Sequence, residues 1–323
     1  MASEQNPSDA KPLINDLIFK ELIKRGYSLE GKTRVWNIAD SKLWYLTPEQ
    51  AQAFLDLEKD ESYREEIIQK ETDLINGNLK DILSIIGGKA MNIVDLGCGD
   101  GKKALLFLQN LRGQVKMRYC PIDISGYMVQ KALERFKQTN IGEVVEFKWN
   151  ISDFENIENI AHLLRIEEFK QNLYLLLGNT LGNFEINELL YEVRSGMKEG
   201  DYLIIGNGLS TKDNEQLLDS YTNDYVDTFL GHIPLQLGLD RSEISFGTRF
   251  KNSRIELFYA LNKDKLVKFQ DKEVMFNKGD RIIVSVSYHY KKEDFIGFLK
   301  MYFSDVKFYI TPDNSYALAL CKK

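Results

Sequence analysis

The chain has 323 residues, 43% hydrophobic and 28% charged, enough for two domains or one large domain with an elaborated insert. Its 42 Lys and Arg against 48 Asp and Glu give a net charge of −6. A mildly acidic chain lacks the concentrated basic face needed by a nucleic-acid groove or an anionic membrane surface, so neither partner is expected. Cys98, Cys120 and Cys321 show no C-x-x-C spacing, and only His162, His232 and His289 could join them, so no disulfide framework and no metal cage are expected. Met1 to Pro12 carry neither a basic nor an apolar leader, and no apolar run approaches the ~18 residues that span a bilayer. The expectation is a soluble, cytoplasmic protein. Sixteen Tyr and eighteen Phe suggest aromatic-lined surfaces, although most of them belong in a core.

Residues 1–12 read as a flexible tail. A helical pattern runs from Leu13 to Leu83, with apolar stripes at Leu17, Ile18, Leu22 and Ile23 and at Ala51, Phe54, Leu55 and Leu57. Thr47-Pro-Glu-Gln50 reads as a helix start, with Thr47 as N-cap, Pro48 at the first position and Gln50 closing a capping box. Asp60 to Leu83 then predicts a long charge-rich helix that Gly87-Gly88 ends. Strands follow at Met91–Leu96, Val115–Ile122, Val144–Trp149, Leu173–Leu177 and Tyr202–Ile205, with helices over Lys103–Leu111, Tyr127–Gln138 and Ile186–Met197. Such alternation predicts an α/β fold, a mostly parallel sheet covered on both faces. Beyond Asp213 the texture changes to helical pieces over Asn214–Leu230, a strand at Arg254–Ala260 and a hairpin about Asn277–Asp280 returning through Ile282–Tyr290. A helix at Glu293–Met301 and strands at Val306–Ile310 and Tyr316–Cys321 rejoin the alternating sheet. Residues 213–285 are therefore an insertion, expected to pack with the N-terminal helices as a second domain.

The segment Asp95-Leu-Gly97-Cys-Gly99-Asp-Gly101-Lys102-Lys103 takes a strand through a glycine turn into a helix, which lets a bulky ligand lie against bare backbone. A dinucleotide fingerprint would need glycine where Lys102 stands. Asp95, just before the first glycine, suits a ligand with a positive group such as an ammonium or a sulfonium. Asp123 ends the second strand, 24 residues after Gly99, where a carboxylate overhangs a ribose; the competing role is a helix cap before Tyr127. Asp153-Phe154 follows the third strand, where a carboxylate could accept an adenine amino proton. This order resembles the layout of Rossmann-like, class I S-adenosylmethionine-dependent methyltransferases, which close the sheet with an antiparallel last strand.

Leu176-Leu-Gly-Asn-Thr-Leu-Gly-Asn183-Phe184 carries a narrower resemblance, to the L-G-S-T-I-G-N-[LF] segment of the histidine Nα-methyltransferases of ergothioneine biosynthesis. It extends through Leu203–Asp213, Leu217, Leu218 and Tyr221, Arg254–Leu257, Thr311-Pro-Asp313 and Ala317–Leu320, and more faintly through the N-terminal helices. The resemblance implies a methyltransferase domain (68–212 and 286–323) interrupted by a smaller substrate-binding domain (13–67 and 213–285), with S-adenosyl-L-methionine as cofactor. Gly97, Lys103, Asp123, Asp153 and Phe154 match the family's cofactor contacts, and Asp95, Gly99 and Gly101 complete the expected cofactor site. Asn183 matches the asparagine that holds the substrate's amino-acid backbone. Tyr221 and Thr228 match substrate-domain residues near it, and Tyr63 matches a pocket tyrosine, with Tyr45 as a competitor.

One position departs. Where the family has E-x-S to read the imidazole, this chain has Ser285-Val-Ser287. A hydroxyl cannot supply a carboxylate's charge-assisted bond to an imidazole N–H. The resemblance therefore implies α-amine methylation of an amino acid, histidine-like or another, with Asn183 and Tyr221 as the catalytic pair and Ser285 and Ser287 facing the side chain. A peptide, protein or other small amine as acceptor, or a non-catalytic cofactor-binding protein, are the alternatives. Read alone, Asn183 could be a loop cap and Tyr221 a core residue. His232 and His289 read as structural, and Cys98 lacks a base that would make it a nucleophile.

Overall fold

The computed structural model describes residues 14–139, 141–211 and 214–323; the tail assigned to 1–12 lies outside them. The chain divides into two compact units. The larger is Tyr45–Asp213 with Ser287–Lys323, and the smaller joins the residues up to Trp44 to Asn214–Val286.

In the larger unit seven strands form one sheet: β1 (Met91–Leu96), β2 (Met117–Ile122), β3 (Glu143–Val144), β4 (Gln171–Leu176), β5 (Tyr202–Gly208), β6 (Asp305–Ile310) and β7 (Tyr316–Lys322). Their spatial order is β3-β2-β1-β4-β5-β7-β6. The first five pair in parallel, and β7 runs antiparallel to both β5 and β6. The helices are α1 (Pro48–Leu57), α2 (Lys70–Ile86), α3 (Lys102–Leu111), α4 (Gly126–Thr139), α5 (Ile157–Leu164), α6 (Ile186–Gly196) and α7 (Lys292–Tyr302). Alternate residues of the central strands serve opposite faces, which is why these strands read as continuous apolar runs. Val94, Leu176, Leu203 and Ile205 pack with α5, α6 and α7; Ile93, Leu173, Leu175 and Ile204 pack with α2 and α3. This is the Rossmann-like sheet with an antiparallel closing strand that the sequence predicts.

Three expectations change in this unit. The third strand is not Val144–Trp149 but two residues long, and Pro121 is the reason. Lacking an N–H, it cannot continue the ladder toward β3, so the chain leaves the sheet and turns through a 3₁₀ turn at Lys148–Asn150. Asn150 repairs the gap, donating from Nδ2 to the Pro121 carbonyl at 2.8 Å and accepting from Phe147 N–H at 2.6 Å. Pairing resumes at Asp123, whose N–H bonds the Asn150 carbonyl at 3.0 Å. The helix expected over Asp60–Leu83 is a single turn at Glu61–Tyr63, a π-helical turn at Arg64–Gln69 and then α2, which ends at Gly87. Residues 45–67 belong to the larger unit: α1, started by the Thr47–Gln50 capping box, sets Ala51 and Leu55 against Met128 of α4.

The smaller unit holds a five-stranded sheet in the order Tyr27–Glu30, Thr33–Asn37, Arg281–Tyr288, Arg254–Leu261, Ile244–Lys251; Ser287 and Tyr288 are counted with the larger unit. It also holds helices at Asp16–Arg25, Asn214–Tyr221 and Asp224–Leu235. The helical pattern expected from Leu13 stops at Gly26, and the chain turns back through Gly31 into a hairpin. The hairpin expected about Asn277–Asp280 lies earlier, joining Lys265–Phe269 to Lys272–Phe276. Arg281–Ile283 instead pair in parallel with Val35–Asn37, and Asp280 accepts from Arg34 Nε at 2.9 Å. Among the described residues no helix is long and apolar enough to cross a membrane, and no group of three His, Cys, Asp or Glu could hold a metal ion.

Candidate functional site

The site is built at the C-terminal ends of β1, β2 and β4. As β1 ends, Gly97 turns left-handed (φ 67°), and its N–H and that of Cys98 bond the Ile122 carbonyl at 2.8 and 3.0 Å. A Cβ on Gly97 would stand 3.3 Å from Thr180 Cγ2, and one on Gly101 (φ 77°) 3.1 Å from Ala132 in α4. Glycine is needed there for both conformation and space. Gly99 faces nothing within 4 Å, so the crest of the loop is open.

Asp123 crosses to this loop. Its Oδ2 accepts the Gly99 N–H at 3.0 Å, and its Oδ1 accepts the Ser125 N–H at 2.9 Å. Burial raises the Asp123 pKa against the pull of the Ser125, Gly99 and Ile124 N–H groups. It both caps the following turn and accepts from the loop backbone. Asp123 forms a bridge with Ile151, and its carbonyl accepts from Ser152 N–H at 2.9 Å, which brings Asp153 and Phe154 alongside. Asp153 Oδ1 accepts from Asn156 Nδ2 at 3.0 Å. The Phe154 ring lies near Gly97 and sits 5.3 Å from Phe184, centroid to centroid.

Asp95 is buried beneath the loop. Tyr119, stacked on Phe136 at 3.6 Å, donates its hydroxyl to Asp95 Oδ2 at 2.7 Å. Burial, with Asp123 adding like charge, outweighs that bond and pushes the Asp95 carboxyl up to about 7. Burial also pushes the Cys98 thiol well up, with Asp123 and Asp95 adding to it, which argues against a thiolate nucleophile.

The turn after β4 forms the other wall. Gly178 and Asn179 are successively left-handed (φ 75° and 63°), and a 3₁₀ turn over Thr180–Asn183 follows. Asn179 Oδ1 accepts the Gly208 N–H at 2.8 Å, and Thr180 Oγ1 donates to the Leu177 carbonyl at 2.8 Å. Asn183 is half-buried, and its amide meets no hydrogen-bond partner among the described residues. Lys103 Nζ stands 3.2 Å from Glu58 Oε1. Burial opposes its charge, but Glu58, Tyr63 and Glu71 more than compensate and raise its pKa. Tyr45 and Tyr63 share this neighbourhood: after burial, the charges of Asp123, Tyr63 and Glu58 raise the Tyr45 hydroxyl.

Asp95, Gly97, Gly99, Gly101, Lys103, Asp123, Asp153, Phe154 and Asn183 thus belong to one unit, as do half-buried Tyr63 and buried Ser287, whose Oγ lies 3.4 Å from His289 Nε2. Tyr221, Thr228 and Ser285 belong to the smaller unit. Tyr221 closes a helix and is half-buried, Thr228 is exposed, and Ser285 is buried in its strand. Glu58, Glu71 and Tyr316 are site residues absent from the sequence reading. Glu71 could have been found there, because it shares a helical stripe with Ile75, Leu79, Ile82 and Ile86, all of them buried.

Solved structures resemble the chain at low identity. One is an S-adenosylmethionine-dependent methyltransferase from Clostridium acetobutylicum ATCC 824: 16% identical, covering 84% of this chain and 98% of its own, TM-score 0.45. Another is a protein of Pyrococcus horikoshii OT3 (15%, covering 85% and 99%, TM-score 0.45). A third is the magnesium protoporphyrin IX methyltransferase of Synechocystis PCC 6803 (11%, covering 84% and 93%, TM-score 0.42), crystallised with bound SAH. No curated protein matches the chain. Residues 52–323 match the family described as histidine-specific, S-adenosylmethionine-dependent methyltransferases. With seven strands in this order and a glycine loop at the end of β1, the chain belongs to that family and is an S-adenosylmethionine-dependent methyltransferase.

Proposed function

We propose that the enzyme transfers a methyl group to the α-amine of a free amino acid, with the larger unit holding the cofactor and the smaller unit contributing to acceptor recognition. The observation that carries the cofactor assignment is Asp123. Its Oδ2 is held by the Gly99 N–H and its Oδ1 by the Ser125 N–H, which fixes a carboxylate acceptor beside the open crest of the loop, where ribose hydroxyls would donate. The open crest at Gly99, the aromatic edge of Phe154 and the carboxyl of Asp95 suit a nucleoside that bears a positive sulfur. Asp95, Gly97, Gly99, Gly101, Lys103, Asp123, Asp153 and Phe154 are assigned to it. When bound, S-adenosylmethionine supplies the electrophilic methyl.

The chain's own task is then to position and dry a neutral amine. Asn183 supports this reading because its unpartnered amide offers a donor and an acceptor, what an amino-acid backbone requires. An α-ammonium must lose its proton before attack. Tyr221, or a water bonded to Asn183, is assigned that proton, and Thr228 and Tyr63 are assigned to the acceptor's surroundings. Ser285 and Ser287 are assigned to its side chain. Two hydroxyls without a carboxylate favour an aromatic or polar side chain over a strongly bound imidazole.

The test is a panel of the free amino acids with S-adenosylmethionine, read by mass spectrometry for gains of one, two or three methyl groups. Turnover of one or a few amino acids that Asn183→Ala reduces at least tenfold is the expected result. Inactivity on every free amino acid would overturn the acceptor assignment in favour of a peptide or another amine. Efficient wild-type histidine methylation that Ser285→Glu leaves unchanged would overturn the side-chain assignment.

A further inference from the structure

Glu71 is a carboxylate with 1% exposure in the first turn of α2. Burying a charge is costly unless it is engaged; burial pushes the Glu71 pKa up, and Lys103, the Gly178 N–H and the Tyr316 hydroxyl oppose it. Both of its oxygens lie 3.0 Å from a single donor, the N–H of Gly178, and Oε1 also accepts the Tyr316 hydroxyl at 2.7 Å. The fit leaves no slack: a Cβ on Gly206 of β5 would fall 2.0 Å from Glu71 Oε1, and one on Gly178 would fall 2.3 Å from Lys103 Nζ. Lys103 is therefore seated against the start of the turn, in the combined field of Glu58 and Glu71.

The turn itself opens with two left-handed residues, the second of them not glycine, a conformation that persists only when its surroundings fix it. Glu71 fixes its first N–H, Asn179 its second residue through Gly208, and Thr180 its carbonyl at Leu177. Asn183 stands at the far end.

We propose that Glu71 is a positioning residue: it clamps the Gly178 N–H and seats the Lys103 ammonium, so that the Gly178–Asn183 turn presents Asn183 in one place. The proposal rests on the functional reading above for what Asn183 touches, but the clamp can be tested without it. Tyr316 supports the carboxylate from β7. A bridging carboxylate of this kind makes acceptor affinity depend on a side chain that never meets the acceptor.

The experiment compares wild type, Glu71→Gln and Tyr316→Phe by hydrogen exchange of the peptide covering residues 176–184, by calorimetry with S-adenosylmethionine, and by steady-state kinetics on whichever amine the panel identifies. Glu71→Gln keeps the shape and one acceptor but removes the charge. It is expected to speed exchange in this peptide at least tenfold while leaving peptides of the smaller unit unchanged, and to raise the acceptor KM more than it lowers kcat. Tyr316→Phe is expected to do the same to a smaller degree, and it decides the question should Glu71→Gln not fold. Unchanged exchange at 176–184 in a folded variant would overturn the clamp. Faster exchange throughout the larger unit with an unaltered KM would reduce Glu71 to a general brace and also overturn it. Local loosening in a protein whose wild type methylates no amine would leave the clamp standing and sink the acceptor reading instead.

Discussion

At the scale of single residues, the carboxylates around the glycine loop make the first tests. Asp123→Ala removes both acceptors above the glycine loop, and S-adenosylmethionine affinity should fall by ~1–3 kcal/mol, the range for hydrogen bonds to a charged acceptor. Isothermal calorimetry measures it, and an unchanged affinity would remove Asp123 from the cofactor site. Asp95 makes a prediction in pH. Its folded pKa of about 7 lies above its ordinary 3.8, so between those values the native state holds a proton that the unfolded chain has lost. Stability contributed by Asp95 is therefore greatest at low pH, declines as pH rises from about 4 to about 7, and is level above. Asp95→Asn should remove this part of the decline, seen as a flatter series of urea midpoints across that window. Glu30, held down to about 2 chiefly by its hydrogen bond to Arg249, works in the opposite sense, losing its contribution as pH falls; the difference between wild type and Asp95→Asn isolates Asp95. Asp95, Asp123 and the three glycines were legible in the sequence because each lies at or just beyond the end of a strand. Glu71 was legible only as a member of its helix's apolar stripe; its partners, from the turn after β4 and from β7, and the Lys103 partner of Glu58 are long-range and were not.

Among the elements, the abbreviated β3 shows how one residue reshapes a site. Pro121 ends the ladder on one side of β2, and Asn150 takes over with a single buried amide. Asn150→Leu keeps the volume but leaves the Pro121 carbonyl and the Phe147 N–H without their partner. A loss of about 2–3 kcal/mol follows from the cost of stranding buried polar groups, measurable by urea denaturation. Because the Asn150 backbone also pairs with Asp123, cofactor affinity should fall together with stability; intact affinity would separate the two. The apolar run Val144–Trp149 reads as a strand on pattern alone. Only the neighbour that should have paired with it, a proline in the adjacent strand, forbids it. Long-range pairing of this sort likewise hid the strand at Thr33–Asn37, whose partner, Arg281–Tyr288, lies far along the sequence. The capping box at Thr47, by contrast, is local chemistry and was fully legible; Thr47→Ala should cost ~1 kcal/mol.

For the whole molecule, the division into two units predicts where ligands act. S-adenosylmethionine binds only the native state, so at a hundred times its Kd it should add about 2.7 kcal/mol of stability. If the assigned residues hold it, protection from hydrogen exchange should concentrate at 95–101, 123–125 and 151–154. Protection confined to residues 214–286 would contradict that assignment. The alternating strands and helices made the larger unit's mostly parallel sheet readable in advance, and the family resemblance implied its antiparallel close. The smaller unit's sheet was read only in part, because its strands come from two distant stretches of chain and neither stretch shows the alternation of a complete βαβ unit.

The order of the strands also bears on how the protein is made. Gly208 at the end of β5 pairs with Tyr316 of β7, and the whole of Asn214–Val286 is synthesised between them. During that interval β5 is an edge, apolar on both sides and open to pairing with another chain. Glu71 meanwhile is already present without the tyrosine that helps to neutralise its burial. Emergence of β7 from the ribosome therefore closes the sheet and completes the clamp in one event. Until then the nascent chain is exposed to strand-swapped aggregation through that edge.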